Sequence, residues 1–295
     1  MRNFVGLRAI PKIEYHRATE LGEALKLLSQ HKENCKIIAG GTDLIPAARR
    51  CRTLLPEHMH IVDISSIEGL DYIIKDGDMI RIGAITRVSE IEMSTVIKGN
   101  ALILANAASQ MGSLQVRNLG TIGGNLCNAS PAADTAPPLL VLNAKVKVRS
   151  INKQRLVPLQ EFFMGPGKTT LTPEEILTEV QIPLIKPTGN SYFIKFGRRN
   201  AFTLSIVSVA TLVKVENGVF VDIRIALGSV APTPIRASKA EEHLIGHKVN
   251  EQVIDDGVTV VANEVKPISD VRASAEYRRD MAYVLTKRAI SLSLQ

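Results

Sequence analysis

The apolar residues of this chain recur with two different periods, and the changes of period divide it into three stretches. Between His16 and Lys32, Leu21, Ala24, Leu25 and Leu28 fall at helical spacing, which predicts one helix over that span with Thr19 as its cap. Short β-like runs follow at Lys36–Ala39 and, after a loop at Pro56, at His60–Ile64. A hairpin is predicted where Asp76-Gly77-Asp78 separates Tyr72–Ile74 from Met79–Ile82. A short helix opens over Thr86–Glu90, capped by Thr86 or Ser89, and Leu102–Gln110 reads as another. Lys145–Ser150 alternates charged and apolar positions as a half-solvated strand does, and Glu179–Ile182 is a further short strand.

The third stretch starts near Pro187. Ser205–Val215 and Val219–Gly228 are rich in Val, Ile and Ala and flank Glu216-Asn217-Gly218, a strong hairpin turn. Helical patterns then cover Ala237–Leu244, Val253–Val265 and Ser274–Leu294. Hairpins and helices mix without regular strand–helix alternation, so the pattern predicts an α+β fold and not a doubly wound parallel sheet. No internal repeat is present.

Composition narrows the function classes. A chain of 295 residues is long enough for two compact domains, or for several lobes sharing a core. With 45% hydrophobic and 22% charged residues it is neither disordered nor collagen-like. No run approaches the ~18 uncharged apolar residues of a membrane span, and the charged first twenty residues lack a signal core, so a cytoplasmic location is expected. Cys35, Cys51 and Cys127 are odd in number and widely spaced, without a CxxC pair. That argues against a disulfide framework, an iron–sulfur cluster or a zinc site in this chain.

The net charge of +7 raises nucleic-acid binding, but the basic residues are interspersed with acidic ones. The compact cluster is Lys195, Arg198 and Arg199, with Arg278, Arg279, Lys287 and Arg288 near the end. Aromatics at 4% supply no stacking platform, so attraction for an anionic ligand or acidic partner is the expectation. Of the six histidines, His58 and His60 are spaced to reach one metal, a weak signal with two ligands alone.

Two glycine-rich segments carry the candidate chemistry. Ile37-Ile38-Ala39-Gly40-Gly41-Thr42-Asp43-Leu44 runs a short buried strand straight into a glycine pair. Such a turn either reverses the chain or brings backbone N–H donors to a phosphate, with Thr42 adding a hydroxyl. It lacks the GxGxxG of a dinucleotide βαβ unit and the GK[ST] of a P-loop. Gly120-Thr121-Ile122-Gly123-Gly124-Asn125 and the following residues to Asp134 form a second loop of small donors with one carboxylate. Alone, this is a tightly packed crossover in which Asn125 and Ser130 satisfy the backbone. Two such segments in one chain point to a shared dinucleotide.

In chain order, IIAGGTDL, SLQVRNLGTIGGNLCNASPAAD, EEILTEVQIP, KFGRR, GSVAPTPIR and VRASAEYRRDMAYVLTKRAI resemble the FAD-binding subunit of the molybdenum hydroxylases. The match extends over essentially the whole chain. FxxGPGK at Phe162–Lys168, GSVAPTPIR and RASxEYR are most similar to the xanthine dehydrogenase-like branch. The resemblance implies a two-lobed FAD-binding fold of the vanillyl-alcohol-oxidase/CO-dehydrogenase flavoprotein type plus a C-terminal α+β domain. The expected divisions are 1–58, 59–175 and 176–295. FAD is the implied cofactor, with an iron–sulfur small subunit and a molybdopterin-binding large subunit as partners. NAD+ or another species is the implied acceptor.

By the same resemblance, Ile37, Ile38, Ala39, Gly40, Gly41, Thr42, Asp43 and Leu44 wrap the pyrophosphate. Thr121, Ile122, Gly123, Gly124 and Asn125 do so from the opposite side. Asp134 binds a cofactor hydroxyl, unless it merely caps the helix after it. Leu177 lies near the adenine or flavin, or in the core. Met111 stands where relatives place an aromatic residue against the flavin, and Lys195 stands near the isoalloxazine. Arg117 and Asn118 brace the second loop, and Cys127 is a packing residue. No catalytic side chain or resident metal is expected. A stand-alone FAD oxidoreductase, or a scaffold that has lost FAD, are the alternatives.

Overall fold

A computed structural model describes residues 12–50, 58–184, 190–199 and 202–295. Cys51, Pro56 and Pro187 lie outside the described residues. The first lobe contains β1 (Glu14–Arg17), α1 (Leu21–His31), β2 (Cys35–Ile38), α2 (Leu44–Arg50) and β3 (His60–Asp63). Its three strands are parallel in the order β1-β3-β2. Ala24, Leu25 and Leu28 of α1 are buried against Val62, Ile64 and Ile67, as the helical spacing requires.

Helix α1 starts at Leu21, later than the sequence pattern predicts, because His16 and Arg17 are strand residues paired with Val62 and Asp63. Thr19 does not cap it: Glu20 holds that position in extended conformation, and the Thr19 amide donates to Glu23 at 3.1 Å. The predicted second strand is only half buried, since Ile37 and Ile38 stay partly exposed.

The second lobe is built on five strands: β4 (Ile73–Asp76), β5 (Met79–Gly83), β6 (Lys145–Arg149), β7 (Gln154–Pro158) and β10 (Ile176–Pro183). Between β7 and β10 lies the short pair β8 (Phe163–Gly165) and β9 (Lys168–Thr169). The five-stranded order is β4-β5-β10-β6-β7. Ile176–Pro183 is therefore a strand of the middle sheet, although the division at 175/176 assigns it to the C-terminal unit. His60–Asp63 likewise belongs to the first sheet and not to the stretch beginning at 59.

Helices α3 (Val88–Met93), α4 (Thr95–Asn100), α5 (Leu102–Ser109), α6 (Leu114–Arg117), α7 (Ile122–Cys127) and α8 (Ala136–Val141) fill the span between β5 and β6. A four-residue helix, α9 (Leu159–Phe162), follows β7. Arg87 precedes α3 as its N-cap, and Glu90 reaches back to the Arg87 amide at 2.9 Å. Thr86 instead bonds Tyr72, accepting from its amide and donating to its carbonyl, both at 3.1 Å.

At the centre of the middle sheet, the Glu179 side chain is 2% exposed. It accepts from Tyr72 Oη, Arg81 Nε (3.0 Å), Lys147 Nζ (2.8 Å) and Gln181 Nε2 (2.5 Å). Burial alone raises a carboxyl, but these donors outweigh it and hold Glu179 at about 2.

The third unit is an antiparallel sheet of β11 (Asn190–Phe196), β12 (Val207–Glu216), β13 (Val219–Gly228) and β14 (Ile235–Arg236), in that order. Asn217 (φ 53°) and Gly218 (φ 75°) both take the left-handed conformation that a two-residue hairpin turn demands. Helices α10 (Ser238–Leu244), α11 (Glu251–Glu264) and α12 (Ala275–Ser293) cover one face.

The two-residue period of a strand assigns the faces. Val207, Val209 and Val213 pack under the helices, while Ala210 and Leu212 join the core of the second lobe. On β13, Ile223, Ile225 and Leu227 face the helices and Ala226 the second lobe. Burial on both faces explains why these strands read as continuous apolar runs. Arg224 donates to the Val141 carbonyl at 3.2 Å, and Arg236 donates to Leu140 (3.1 Å) and Asn143 (2.9 Å). The third unit thus grips the C-terminus of α8. No helix among the described residues is long and apolar enough to cross a membrane.

The first and second lobes meet backbone to backbone. A Cβ on Gly40 would stand 1.8 Å from the Leu119 carbonyl oxygen. Gly40→Ala must push the two segments apart, and we expect it to lower stability by about 1–3 kcal/mol, read as a fall in Tm. Gly22→Ala, where a Cβ meets nothing within 4 Å, serves as the control and should stabilise α1 by about 0.5–1 kcal/mol.

Glu179 gives a second expectation. Its depressed folded value contributes stability that is present above the ordinary value of 4.5 and is lost as pH falls toward about 2. Denaturant unfolding across that window should show the loss in the native chain. Glu179→Gln should be less stable at pH 7 and show a shallower dependence.

Candidate functional site

The first glycine segment leaves β2 at Ile37 and Ile38, turns at Ala39, Gly40 and Gly41, and enters α2 at Leu44. Gly41 has φ +66°, a conformation that disfavours a side chain. No acceptor among the described residues receives the amide N–H of Gly40, Gly41 or Thr42. The three residues are half-exposed at the junction with the second lobe. Asp43 is exposed, and its carbonyl accepts the Ala47 amide at 3.0 Å. Thr42 Oγ1 lies 3.5 Å from where a Cβ of Gly120 would stand. The two glycine-rich segments are therefore in contact.

The second segment is a loop only in its later part: Ile122–Cys127 form a helix, α7, with Thr121 as its cap accepting from the Gly124 amide at 3.1 Å, and turns follow over 128–134. Its amides are already committed. Ile122 donates to the Thr86 carbonyl (3.0 Å), Gly123 to Ala84 (2.9 Å) and Asn125 to Thr121 (2.9 Å). The expectation of a donor-rich loop is corrected accordingly: the first turn of α7 docks on the residues just after β5. Gly123 is needed for that approach, since a Cβ there would lie 2.7 Å from the Ala84 carbonyl oxygen. Gly124 stays exposed, and Asn125 accepts the Thr135 hydroxyl at 2.6 Å through Oδ1.

The polar centre of the site lies where α5, the start of α8 and the third sheet converge. Phe193 packs into the second lobe, and the strand period places Lys195 on the same face. Its ammonium bonds Asp134 Oδ2 at 2.7 Å and the Gln110 carbonyl at 2.9 Å. Gln110 ends α5, so the cation also answers the partial negative charge of a helix C-terminus. The side chains of Lys195 and Asp134 are 6% and 7% exposed. Asp134 Oδ1 accepts the hydroxyl of the fully buried Ser205 at 2.8 Å. Burial raises the Asp134 carboxyl, opposed by Lys195 and then Ser205. Asp134 is no helix cap: Thr135 holds that position, and α8 has no side-chain cap bond.

A cavity of about 270 Å³ opens beside this cluster, lined by Gln110, Lys195, Phe196, Gly197, Arg199, Phe202 and Thr203. Arg199 donates to the Phe202 carbonyl at 2.7 Å and stands 5.6 Å from the Phe202 ring centroid. Arg198 turns away to the Val271 carbonyl at 3.5 Å. Cationic, aromatic and amide groups line one opening, which suits a planar anionic ligand.

Other expected residues sit around this centre. Met111 is buried in the second lobe, and its Cε lies 3.7 Å from where a Cβ of Gly120 would stand. Its carbonyl accepts from Arg117 at 3.2 Å, and Arg117 pairs with Glu92 at 2.8 Å. Arg117 therefore ties Met111 to Glu92 of α3, and neither of these bonds reaches the second glycine segment. Leu177 is a core residue of β10 and takes no part in the polar cluster. Burial pushes the Cys127 thiol up to about 12, which leaves it a packing group.

His60 does not pair with His58. It bonds His16 at 2.9 Å and stacks on His31 with ring centroids 3.5 Å apart. Among the described residues no group of three or more His, Cys, Asp or Glu could hold a metal ion. Ser205 and Gln110 are the functional residues that sequence reasoning missed. Neither belongs to a motif, and their partners lie 71 and 85 residues away along the chain.

The cluster fits FAD. Three amides with no acceptor among the described residues suit a pyrophosphate, and an ammonium beside a cavity with aromatic walls suits an electron-accepting ring. Comparison with known proteins agrees. Residues 11–185 match the family described as FAD binding domain in molybdopterin dehydrogenase, and residues 192–292 match the CO dehydrogenase flavoprotein C-terminal domain. The glyceraldehyde dehydrogenase medium chain of Sulfolobus acidocaldarius is 35% identical over 95% of this chain and 97% of its own length. The xanthine dehydrogenase FAD-binding subunit of Escherichia coli O157:H7 is 34% identical over 94% of each. Among solved structures, a chain of carbon monoxide dehydrogenase from Hydrogenophaga pseudoflava superposes with TM-score 0.93 at 30% identity, over 97% of this chain and 99% of that one. The two-lobed FAD-binding fold with its C-terminal α+β domain is thereby established, and the chain belongs to the family of FAD-binding domains of the molybdopterin dehydrogenases, as an FAD-binding electron-transfer subunit of a molybdenum-hydroxylase-type complex.

Proposed function

We propose that this chain takes electrons from an iron–sulfur small subunit and delivers them to NAD+ or another acceptor at the cavity beside Lys195. A molybdopterin-binding large subunit would oxidise the substrate. The observation that carries this reading is the Lys195 ammonium, held at the cavity wall by Asp134 and the end of α5. FAD supplies the electron-transfer chemistry when bound. The chain's own residues bind and orient it.

In this reading the amides of Gly40, Gly41 and Thr42 receive the pyrophosphate, with Ile37, Ile38, Ala39, Asp43 and Leu44 shaping the turn. The exposed side of α7 at Gly124 and Asn125 faces the same group, with Thr121, Ile122 and Gly123 fixing its position. Asp134 holds Lys195 and lies within reach of a cofactor hydroxyl. Met111 packs behind the isoalloxazine without stacking on it, and Leu177 supports the wall from the core. An ammonium has three N–H donors, and two of Lys195's are engaged, which leaves one for the ligand.

Relatives named for glyceraldehyde and for xanthine match at 35% and 34% identity, which supports a reading in which this subunit does not select the substrate. Substrate choice falls to the large subunit. Xanthine is the first compound to test, because Phe162–Lys168 and the C-terminal motifs resemble that branch most.

The test is the absorption spectrum of the chain isolated with its natural partners, before and after substrate and then NAD+. Flavin absorbance should bleach on adding xanthine only in the assembled complex, and return with NAD+. Turnover by this chain alone would favour a stand-alone oxidoreductase. A colourless chain that takes up no FAD on reconstitution would sink the proposal in favour of a scaffold.

A further inference from the structure

The geometry assigns Ser205 as a positioning residue for Lys195, acting through Asp134 to set how much of the ammonium's charge reaches the cofactor. The inference rests on the reading that Lys195 faces the flavin, and extends it to a side chain that contacts neither cofactor nor cavity.

Asp134 stands between two donors. One carboxylate oxygen takes Ser205 Oγ at 2.8 Å, the other Lys195 Nζ at 2.7 Å. Ser205 is fully buried, and its hydroxyl has no other acceptor among the described residues. A buried carboxylate with few donors draws strongly on each of them, because no water shares the load. Ser205 takes part of that demand. The lysine is then held by Asp134 without being neutralised by it, and its charge stays directed toward the cavity it lines.

The position of Ser205 in the chain adds a second point. Phe202 and Thr203 line the cavity, and Ser205 follows two residues later. The same short segment forms the cavity wall and supplies the hydroxyl to Asp134. Thr203 is itself fixed by Gly197 of the adjoining segment, where a Cβ would come within 2.4 Å of Thr203 Cγ2. The wall and the Ser205–Asp134–Lys195 chain are therefore one construction.

The sign follows from electrostatics. Without the Ser205 hydroxyl, Asp134 draws the ammonium more strongly to itself and the field at the cavity becomes less positive. A less positive field disfavours the reduced cofactor and lowers its potential.

The experiment is a spectroelectrochemical titration of flavin in the FAD-loaded complex, for the native chain, Ser205→Ala, Ser205→Cys and Lys195→Gln. Gln retains an N–H donor for Asp134, which favours folding of that variant. Ser205→Ala should change the reduced-to-oxidised ratio tenfold at fixed potential, a downward shift of about 30 mV for a two-electron couple. Ser205→Cys leaves no cavity, its sulfur being somewhat larger than the oxygen it replaces, but is a weak donor, so it should shift in the same direction. It carries the test if the alanine variant does not fold. In an Asp134→Asn background, Ser205→Ala should have less than a third of its effect, because the charge through which it acts is gone.

A shift from Lys195→Gln with none from either Ser205 variant overturns the inference and leaves the underlying reading standing. An undiminished Ser205→Ala effect in the Asp134→Asn background also overturns it. No shift from Lys195→Gln removes the underlying reading itself.

Discussion

A carboxylate withdrawn from water at the meeting point of two lobes is the constraint around which this molecule is arranged. Asp134 sits just before α8, in the second lobe, yet the two side-chain donors that satisfy it come from the third unit. An unpaired charge at that depth costs several kcal/mol. The second lobe therefore cannot close over Asp134 without the strand that carries Lys195 and the segment that carries Ser205. What looks like one residue of a cofactor site is equally the bond that fixes how the third sheet lies against the second lobe.

The sheet meets that requirement through its pleat. Phe193 and Lys195 share a face of β11, and Ala210 and Leu212 share the corresponding face of β12. Apolar burial supplies most of the attraction between the layers, while the ammonium and Arg224 from the same face supply direction. At the other junction the contact is between backbones, at Gly40 and Leu119, where no side chain could fit. One junction of the second lobe is held by charge, and the other by the absence of a Cβ.

Much of the local structure was legible in the residues. The Asn217-Gly218 turn, the alternation in Lys145–Arg149 and the stripe of α1 each depend on neighbours a few positions away, and each forms where expected. The glycine pair at Gly40-Gly41 was legible as a turn, and among the described residues its amides have no acceptor. The TIGGN segment misled because glycine, threonine and asparagine suggest a loop by composition. Thr121 instead caps a helix whose first amides bond to Ala84 and Thr86. The start of α1 misled for a similar reason, since His16 and Arg17 belong to β1 through pairing with β3, some 46 residues later (Val62 − His16). Pairings of this length leave no local signal. The Lys195–Asp134 bond spans 61 residues, and nothing near either residue announces the other.

The grip of the third unit on α8 bears on how the chain is made. The buried carbonyl of Val141 accepts from Arg224, and the end of the same helix receives Arg236, residues 83 to 96 positions further along. Synthesis at about 5–20 residues per second puts those arginines roughly 4–20 s behind the helix end they satisfy. For that interval a fully apolar helix containing Pro137 and Pro138 has emerged without its cover. The cover of α8 is thus completed only when the last third of the chain arrives.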